Sequence, residues 1–314
     1  KKCDRCFQTF KGKHTCDLHR CNLCNEFYSL TKHNCYIKTL DMDKINKQDQ
    51  QNKIIICYDI ECKQENTGTA ARIHVPDLLI SMTTCDKCYD FNKNEKNTNN
   101  CVVCGELLKI FFGDNCIKDF GDYVYKTMAK RAENIGSFLY LFAHNAKGYD
   151  NHIILNDLFQ RGFQNPGIIM CGNKVLRASV GNVIFLDSLL MFQQPLAALP
   201  KAFGFEKDVK KGFFPHDFHT TRNLGYIGNL PEQIYFGVNY MKPQLLARFN
   251  KWYEETLTHL RDNKMSYNLK DELIKYCEND VLILLKCVQS FRNIFKLETN
   301  IDPITRCFTL PSMG

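Results

Sequence analysis

The chain has 314 residues, of which 44% are hydrophobic and 24% are charged, and its formal net charge is +7 at pH 7. These proportions are ordinary for a soluble globular protein and exclude a disordered or fibrous chain. No run approaches the roughly 18 apolar residues of a membrane span, and no apolar segment typical of a signal peptide follows Lys1 to Asp4. We therefore expect an intracellular protein, nuclear or cytoplasmic, with no membrane partner. The length predicts two domains, or one large domain with an appendage.

Six of the 17 cysteines lie in the first 35 residues, within two copies of the pattern Cys-x2-Cys…His-x-Cys. The first copy is Cys3, Cys6, His14 and Cys16, and the second is Cys21, Cys24, His33 and Cys35. Such pairs are typical of tetrahedral zinc sites, and a block this small needs metal in order to fold. We predict tandem zinc fingers, each with three cysteines and one histidine, over residues 1–40, which either clamp nucleic acid or dock a protein partner. His19 is an alternative to Cys16 as the fourth ligand of the first finger.

A third cysteine pattern occurs after the fingers, where two Cys-x2-Cys pairs flank a polar loop. Its members are Cys85, Cys88, Cys101 and Cys104. This spacing predicts a zinc ribbon inserted at residues 85–104. Four protein ligands leave no open position on the metal, so we expect the zinc to be structural. The sequence thus predicts about three structural Zn²⁺ ions.

A polar stretch at residues 41–52 is predicted to be a linker, and alternating strands and helices follow it. The predicted strands are 53–62, 73–83, 107–112 and 138–144, with a hairpin of 175–179 and 182–186. The predicted helices are 118–134, 153–160 and 269–295. This alternation predicts an α/β fold for the main body of the chain.

Acidic residues occur near the ends of three of these segments. Asp59 and Glu61 are two positions apart on a strand, which places both carboxylates on one face. Asp150 follows the strand 138–144, while Tyr276 and Asp280 are four apart and therefore neighbours on one face of the last helix. Buried carboxylates are unfavourable unless they are paired or bind a metal. Taken together, the acids predict a shared functional site.

These residues carry a family resemblance. Asp59-Ile60-Glu61, Asn145-x3-Tyr149-Asp150 and Tyr276-x3-Asp280 resemble, in order, the three exonuclease motifs of family B DNA polymerases. Across residues 53–310 the context resembles the protein-primed branch, particularly the transposon-derived polymerases of Polinton/Maverick-type elements. The matching segments run from Ala143 to His152, Phe185 to Leu189, Lys211 to His216, Trp252 to Glu255 and Ile301 to Pro303. The resemblance implies an RNase H-like, DnaQ-type 3′–5′ exonuclease domain at residues 53–300, and a tail at 301–314 where relatives begin their polymerase module.

The resemblance also implies roles for individual residues. Two catalytic ions, Mg²⁺ or Mn²⁺, would be held by Asp59, Glu61, Asp150 and Asp280. Tyr276 would orient the attacking water. The frayed 3′ strand would be held by Asn145, Ser188 and Leu189, with Lys210 or Lys211 assisting the reaction. Phe192 and Tyr149 are interpreted either as base-stacking surfaces or as core residues.

The expected activity is that of a proofreading-type 3′–5′ exodeoxyribonuclease on single-stranded DNA 3′ ends, with RNA as an open alternative. The SLYP-like and Asp-Thr-Asp-like palm motifs are absent from these 314 residues, so we expect no DNA synthesis by them. The alternative function is a nucleic-acid-binding or protein-docking module that retains a vestigial exonuclease site.

Overall fold

The computed structural model of the chain describes residues 1–4, 9–11, 14–16, 18–21, 27–29, 52–66, 72–306 and 309. The chain divides into two compact units, residues 1–48 and 49–314. In the first unit, strands β1 (Leu18–Arg20) and β2 (Phe27–Ser29) form an antiparallel pair. All of the predicted linker except Asn52 lies outside the described residues. The domain boundaries inferred from the sequence remain predictions.

The second unit contains thirteen described strands. In chain order they are β3 (Ile54–Asn66), β4 (Arg72–Cys85), β5 (Tyr89–Asp90), β6 (Glu95–Lys96), β7 (Asn100–Cys101), β8 (Gly105–Glu106), β9 (Leu108–Phe112), β10 (Leu139–Ala143), β11 (Gly167–Cys171), β12 (Lys174–Val180), β13 (Val183–Asp187), β14 (Ile227–Gly228) and β15 (Tyr267–Asn268). Seven of them form a mixed sheet in the order β11-β12-β13-β10-β3-β4-β9. Every strand predicted from the sequence is confirmed, with shifts of a few residues at the ends.

The described helices begin after β9. They are α1 (Cys116–Asp122), α2 (Ala129–Asn134), α3 (Asp150–Gln160), α4 (Leu189–Phe192), α5 (Leu199–Ala202), α6 (Pro243–Asp262), α7 (Leu269–Thr299) and α8 (Pro303–Arg306). A π-helical stretch, Tyr123–Met128, joins α1 to α2, so the helix predicted over 118–134 is confirmed as continuous but not as regular. None of these described helices is both long enough and apolar enough to cross a membrane.

Strand β3 lies inside the sheet because its apolar run can be covered on both faces. It pairs in parallel with β10 and antiparallel with β4, and residues 54–58 are fully buried. Ile54, Ile56 and Tyr58 pack into one core with residues of α1, α2 and α3, whereas Ile55 and Cys57 pack into a second core with α6 and α7. Alternate side chains of β3 thus pack against two helical layers, one on each face of the sheet. The predicted α/β class is confirmed as a mixed α/β architecture with a large mixed sheet.

Candidate active site

Three acidic segments come together where β3 meets α7. The carboxylates of Asp59 and Glu61 and the thiol of Cys277 offer atoms that all lie within 4.8 Å of one another. The Cys277 Sγ atom is 3.9 Å from Asp59 Oδ2 and 3.7 Å from the Asp59 carbonyl oxygen. Asp59 and Glu61 continue the face of β3 on which Ile55 and Cys57 pack toward α7. The spacing of two therefore directs both carboxylates at the long helix.

Asp280 lies one turn along α7 from Tyr276, and both contact Lys211. The Lys211 Nζ atom forms an ion pair with Asp280 Oδ2 and lies 4.7 Å from the centre of the Tyr276 ring. The other carboxylate oxygen of Asp280 is buried without a hydrogen-bond partner among the described residues. The sequence could not decide between Lys210 and Lys211, and the structure assigns the contact to Lys211, whereas Lys210 is exposed.

Asp150 is the first residue of α3 and is buried. Burial and the charge of Asp59 raise the pKa of Asp150 well above its usual value. A further buried acid, Asp187, is the last residue of β13, and its carboxylate accepts hydrogen bonds from the backbone N–H groups of Lys147 at 3.0 Å and Leu189 at 2.9 Å. Asp187 holds the turn before Asp150 against the start of α4, a role that its position at a strand end could have indicated.

The cluster has a large excess of negative charge. Burial and the charge of Asp280 raise the pKa of Asp59 to about 7. Burial and the charge of Asp59 raise the pKa of Glu61 further above its usual value. Burial also raises the pKa of Asp280, although Lys211 opposes the rise. Four carboxylates with a single ammonium group are poorly compensated, and hard oxygen donors of this kind suit Mg²⁺ or Mn²⁺. The residues therefore fit a site for divalent cations.

The segment after Lys211 contributes His216 and Phe214, which the sequence did not single out as site residues. The His216 Nδ1 atom is 3.9 Å from Glu61 Oε2, and its ring centre is 5.3 Å from that of Tyr276. The Phe214 ring centre is 5.6 Å from that of Tyr276. The two aromatic side chains hold the phenol of Tyr276 beside the carboxylates.

The expected strand-binding residues differ in exposure. Asn145 is exposed and has a left-handed backbone with φ of 62°. Ser188 is fully buried, and its hydroxyl donates to the Ala143 carbonyl at 3.2 Å and lies 2.9 Å from His144 Nδ1. Leu189 is half-buried and lines a cavity of about 460 Å³.

The two aromatic residues considered for base stacking both have internal contacts. The Phe192 ring packs against Phe203 and Phe291, with centres 5.5 and 5.4 Å apart. The Tyr149 hydroxyl donates to the Cys62 sulfur. These contacts favour core packing over stacking for both residues.

The four cysteines of the predicted ribbon converge between β4 and β9. All four are buried and offer sulfur atoms within 4.8 Å of one another. The Sγ–Sγ distances are 3.7 Å for Cys85–Cys88, 3.8 Å for Cys85–Cys101 and 3.5 Å for Cys88–Cys104. Sulfurs at the corners of a tetrahedron with Zn–S bonds of about 2.3 Å would be roughly 3.8 Å apart. The cluster is thus a possible metal site with four cysteine ligands, two from the end of β4 and the turn before β5 and two from the hairpin β7–β8.

The first finger is described only in part. Cys3, His14 and Cys16 offer ligand atoms within 4.8 Å of one another, with Cys16 Sγ 3.1 Å from Cys3 Sγ and 3.6 Å from His14 Nε2. This geometry is compatible with Cys16 as a ligand, while the side chain of the alternative, His19, lies outside the described residues. Outside them also lie Cys6, Cys24, His33 and Cys35, while Cys21 is described and buried.

A family model described as DNA polymerase type B, organellar and viral, matches residues 135–314. The chain belongs to this family.

Two curated relatives are named as a DNA polymerase or a probable DNA polymerase. A probable DNA polymerase of Neurospora intermedia is 30% identical over 186 residues, covering 55% of this chain and 18% of that protein. A DNA polymerase of Kluyveromyces lactis is 25% identical over 298 residues, covering 91% of this chain and 27% of that protein. The chain therefore spans about a quarter or less of the length of these curated relatives. Among solved structures, Phi29 DNA polymerase complexed with primer-template DNA has 14% identity and a TM-score of 0.45, covering 83% of this chain and 33% of that chain.

Proposed function

We propose that residues 53–300 form a metal-dependent 3′–5′ exonuclease of the RNase H-like, DnaQ type, which acts on single-stranded DNA 3′ ends as the proofreading part of a protein-primed polymerase. The supporting observation is the convergence of Asp59, Glu61, Asp150 and Asp280 from three separate segments of the chain. A purely structural site would not collect four buried carboxylates around one lysine, because each raises the unfavourable energy of the others.

The four carboxylates would hold two divalent cations, Mg²⁺ or Mn²⁺. When bound, such ions supply a water nucleophile and stabilise the charge that develops on the leaving 3′-oxygen. Burial raises the pKa of Tyr276, so its phenol keeps its proton and orients water through a hydrogen bond rather than acting as a base. Burial lowers the pKa of Lys211, but Asp280 and Tyr276 outweigh it and the net pKa is raised, which leaves a fixed positive charge for the phosphate.

The three residues expected to hold the DNA strand are proposed to have different roles. Asn145 is exposed and Leu189 faces a cavity, so these two are proposed to contact the 3′-terminal nucleotides. Ser188 is buried, and we propose that it acts indirectly by fixing His144 and the end of β10.

We also propose that the cysteine-rich sites bind structural zinc. One Zn²⁺ would occupy the four-cysteine cluster, and two would occupy the fingers. The fingers at residues 1–40 are proposed to bind nucleic acid backbone, with protein docking as the alternative outcome of their deletion.

The test is release of mononucleotides from a 3′-labelled single-stranded oligodeoxynucleotide in Mg²⁺ or Mn²⁺, beside an RNA of the same sequence. Asp59→Ala is expected to lower the rate at least 10³-fold while DNA affinity is retained, since basic residues supply most of the affinity. Asp262→Ala, an exposed acid at the end of α6, is the control and should retain the full rate. Near-normal cleavage by Asp59→Ala would show that the metal-site assignment is wrong.

A further inference from the structure

A groove beside the carboxylate cluster is not explained by the residues considered so far. It encloses a cavity of about 620 Å³ between α5, the segment leading to Lys211, and α6. Lys211 joins the two places, because it lines the groove while its ammonium group contacts Asp280. The groove therefore adjoins the carboxylate cluster.

The groove is basic. Besides Lys211, its lining includes Lys201, Lys210 and Arg248 against the single acid Glu206. The three additional cations are exposed, and none of them has an ion-pair partner within the described part of the chain. Cationic side chains grouped without acidic partners attract polyanions.

The cations are attached to the elements of the site. The Arg248 Nη2 atom donates to the Lys211 carbonyl at 3.4 Å, and the guanidinium lies 5.4 Å from the centre of the Phe213 ring. The Asn279 amide, next to Asp280 on α7, donates to the Lys210 carbonyl at 2.7 Å. The basic wall is thereby tied to the helix that carries Tyr276 and Asp280.

The rest of the lining indicates what the groove would hold. Besides Gln194, the rest of the lining consists of small or compact apolar residues, namely Ala197, Ala198, Pro200 and Ala202. Among the described residues, no aromatic ring lines this groove, so they offer no surface for base stacking. Cationic side chains beside small residues suit a sugar–phosphate backbone better than bases.

We propose that this groove, formed by Lys201, Lys210 and Arg248, binds the phosphodiester backbone of a single DNA strand on the 5′ side of the nucleotide being removed. This inference rests on the proposed exonuclease function and extends it by assigning the path of the strand. Backbone binding makes the site insensitive to base sequence and strongly dependent on salt. Each phosphate contact with a single strand contributes about −0.7 to the slope of log K against log salt concentration.

The experiment measures binding of a fluorescent oligothymidylate to the full chain without added Mg²⁺ or Mn²⁺, across a series of salt concentrations. The variant Lys201→Ala/Lys210→Ala/Arg248→Ala should bind at least tenfold more weakly at low salt, with a slope reduced by about 2. The control Lys130→Ala/Lys174→Ala/Lys251→Ala removes the same charge from exposed positions outside the groove and should leave the slope unchanged. The single variant Lys201→Glu, at an exposed position, should weaken binding in the same direction.

Cleavage is not needed for this measurement, so the two proposals fail separately. If the parent chain releases no nucleotides but the groove variant shows a reduced salt slope, the exonuclease proposal is overturned and the groove proposal stands. If the parent chain is an active nuclease but the groove variant and the control variant have the same salt slope of DNA binding, the groove proposal is overturned. The groove proposal would also be overturned if the groove variant were no longer inhibited in nuclease activity by thymidine monophosphate while its salt slope stayed unchanged. The groove would then hold the released nucleotide instead of the strand.

Discussion

Replacing Arg292 by methionine should destabilise the main unit more than any other single change in α7. Arg292 is fully buried, and its Nε atom is 3.0 and 2.9 Å from the two carboxylate oxygens of Asp302. Its Nη2 atom is also 3.0 Å from Asp86 Oδ2. Asp302 is fully buried and keeps Lys53 at 3.3 Å. Methionine fills a similar volume but leaves the two carboxylates with only Lys53 and the more distant, partly exposed Lys296.

The magnitude follows from that uncompensated charge. Breaking a buried ion pair from one side costs about 3–5 kcal/mol. A unit of this size loses about 2–4 °C in Tm per kcal/mol, so a cost of about 3–5 kcal/mol lowers Tm by roughly 6–20 °C. Thermal and urea unfolding of the full chain measure it. Lys296→Met is the control, because Lys296 is 3.9 Å from Asp302 and partly exposed, and it should cost less than about 1 kcal/mol.

The pH dependence of stability provides a second test of the Arg292→Met prediction. Burial alone would raise the pKa of Asp302, but Arg292 and Lys53 hold it below its usual value. In the parent, Asp302 therefore contributes stability above its unfolded pKa of about 3.9, and this is lost only as the pH falls through the lower folded value. In Arg292→Met the folded pKa rises, so acid relieves the penalty. The cost of the mutation should shrink between pH 7 and pH 5, and an equal cost at both values, or one under about 1 kcal/mol at pH 7, would refute the reasoning.

Three other outcomes are expected. Cys101→Ser should lower the zinc content by one ion per chain and lower Tm, without changing the Mg²⁺ dependence of nuclease activity; an unchanged zinc count would show that the cysteines are ordinary thiols. Tyr276→Phe should slow cleavage about 10-fold to 100-fold with little change in DNA affinity, because only the orienting hydroxyl is lost; single-turnover rates measure this, and an unaltered rate would remove the residue from the mechanism. Deleting residues 1–40 should weaken DNA binding and reduce its salt slope while the rate at saturating DNA stays the same, whereas an unaffected slope would indicate protein docking.

The sheet and the acidic segments could be predicted because simple periodic rules govern them. The apolar run before Asp59 is continuous because β3 is covered on both faces, and a spacing of two then fixes the side of Asp59 and Glu61. Helix α6 was not predicted. Its buried Phe249 and Tyr253 and its partly buried Leu246 are three or four positions apart and form an apolar face, so the sequence did contain a helical pattern there.

Other features depend on contacts between distant segments. Lys210 and Lys211 are adjacent in an irregular stretch, where no periodicity shows which ammonium group reaches Asp280. The π-helical Tyr123–Met128 was also missed, because a wider turn keeps much the same apolar pattern as a regular one. The pairing of Arg292 with Asp86 joins residues more than 200 positions apart, and only the folded chain brings them together.

The separation of the carboxylates along the chain has a consequence for biosynthesis. Asp59 and Asp280 are 221 positions apart, so at about 5–20 residues per second a ribosome needs roughly 10–45 s to produce the second after the first. During that interval the nascent chain contains Asp59 and Glu61 without a complete α7. For most of it, Lys211 has not been made either. The cluster can therefore be completed only after almost the whole main unit has been translated, and a chain truncated earlier lacks Asp280 and with it the complete site.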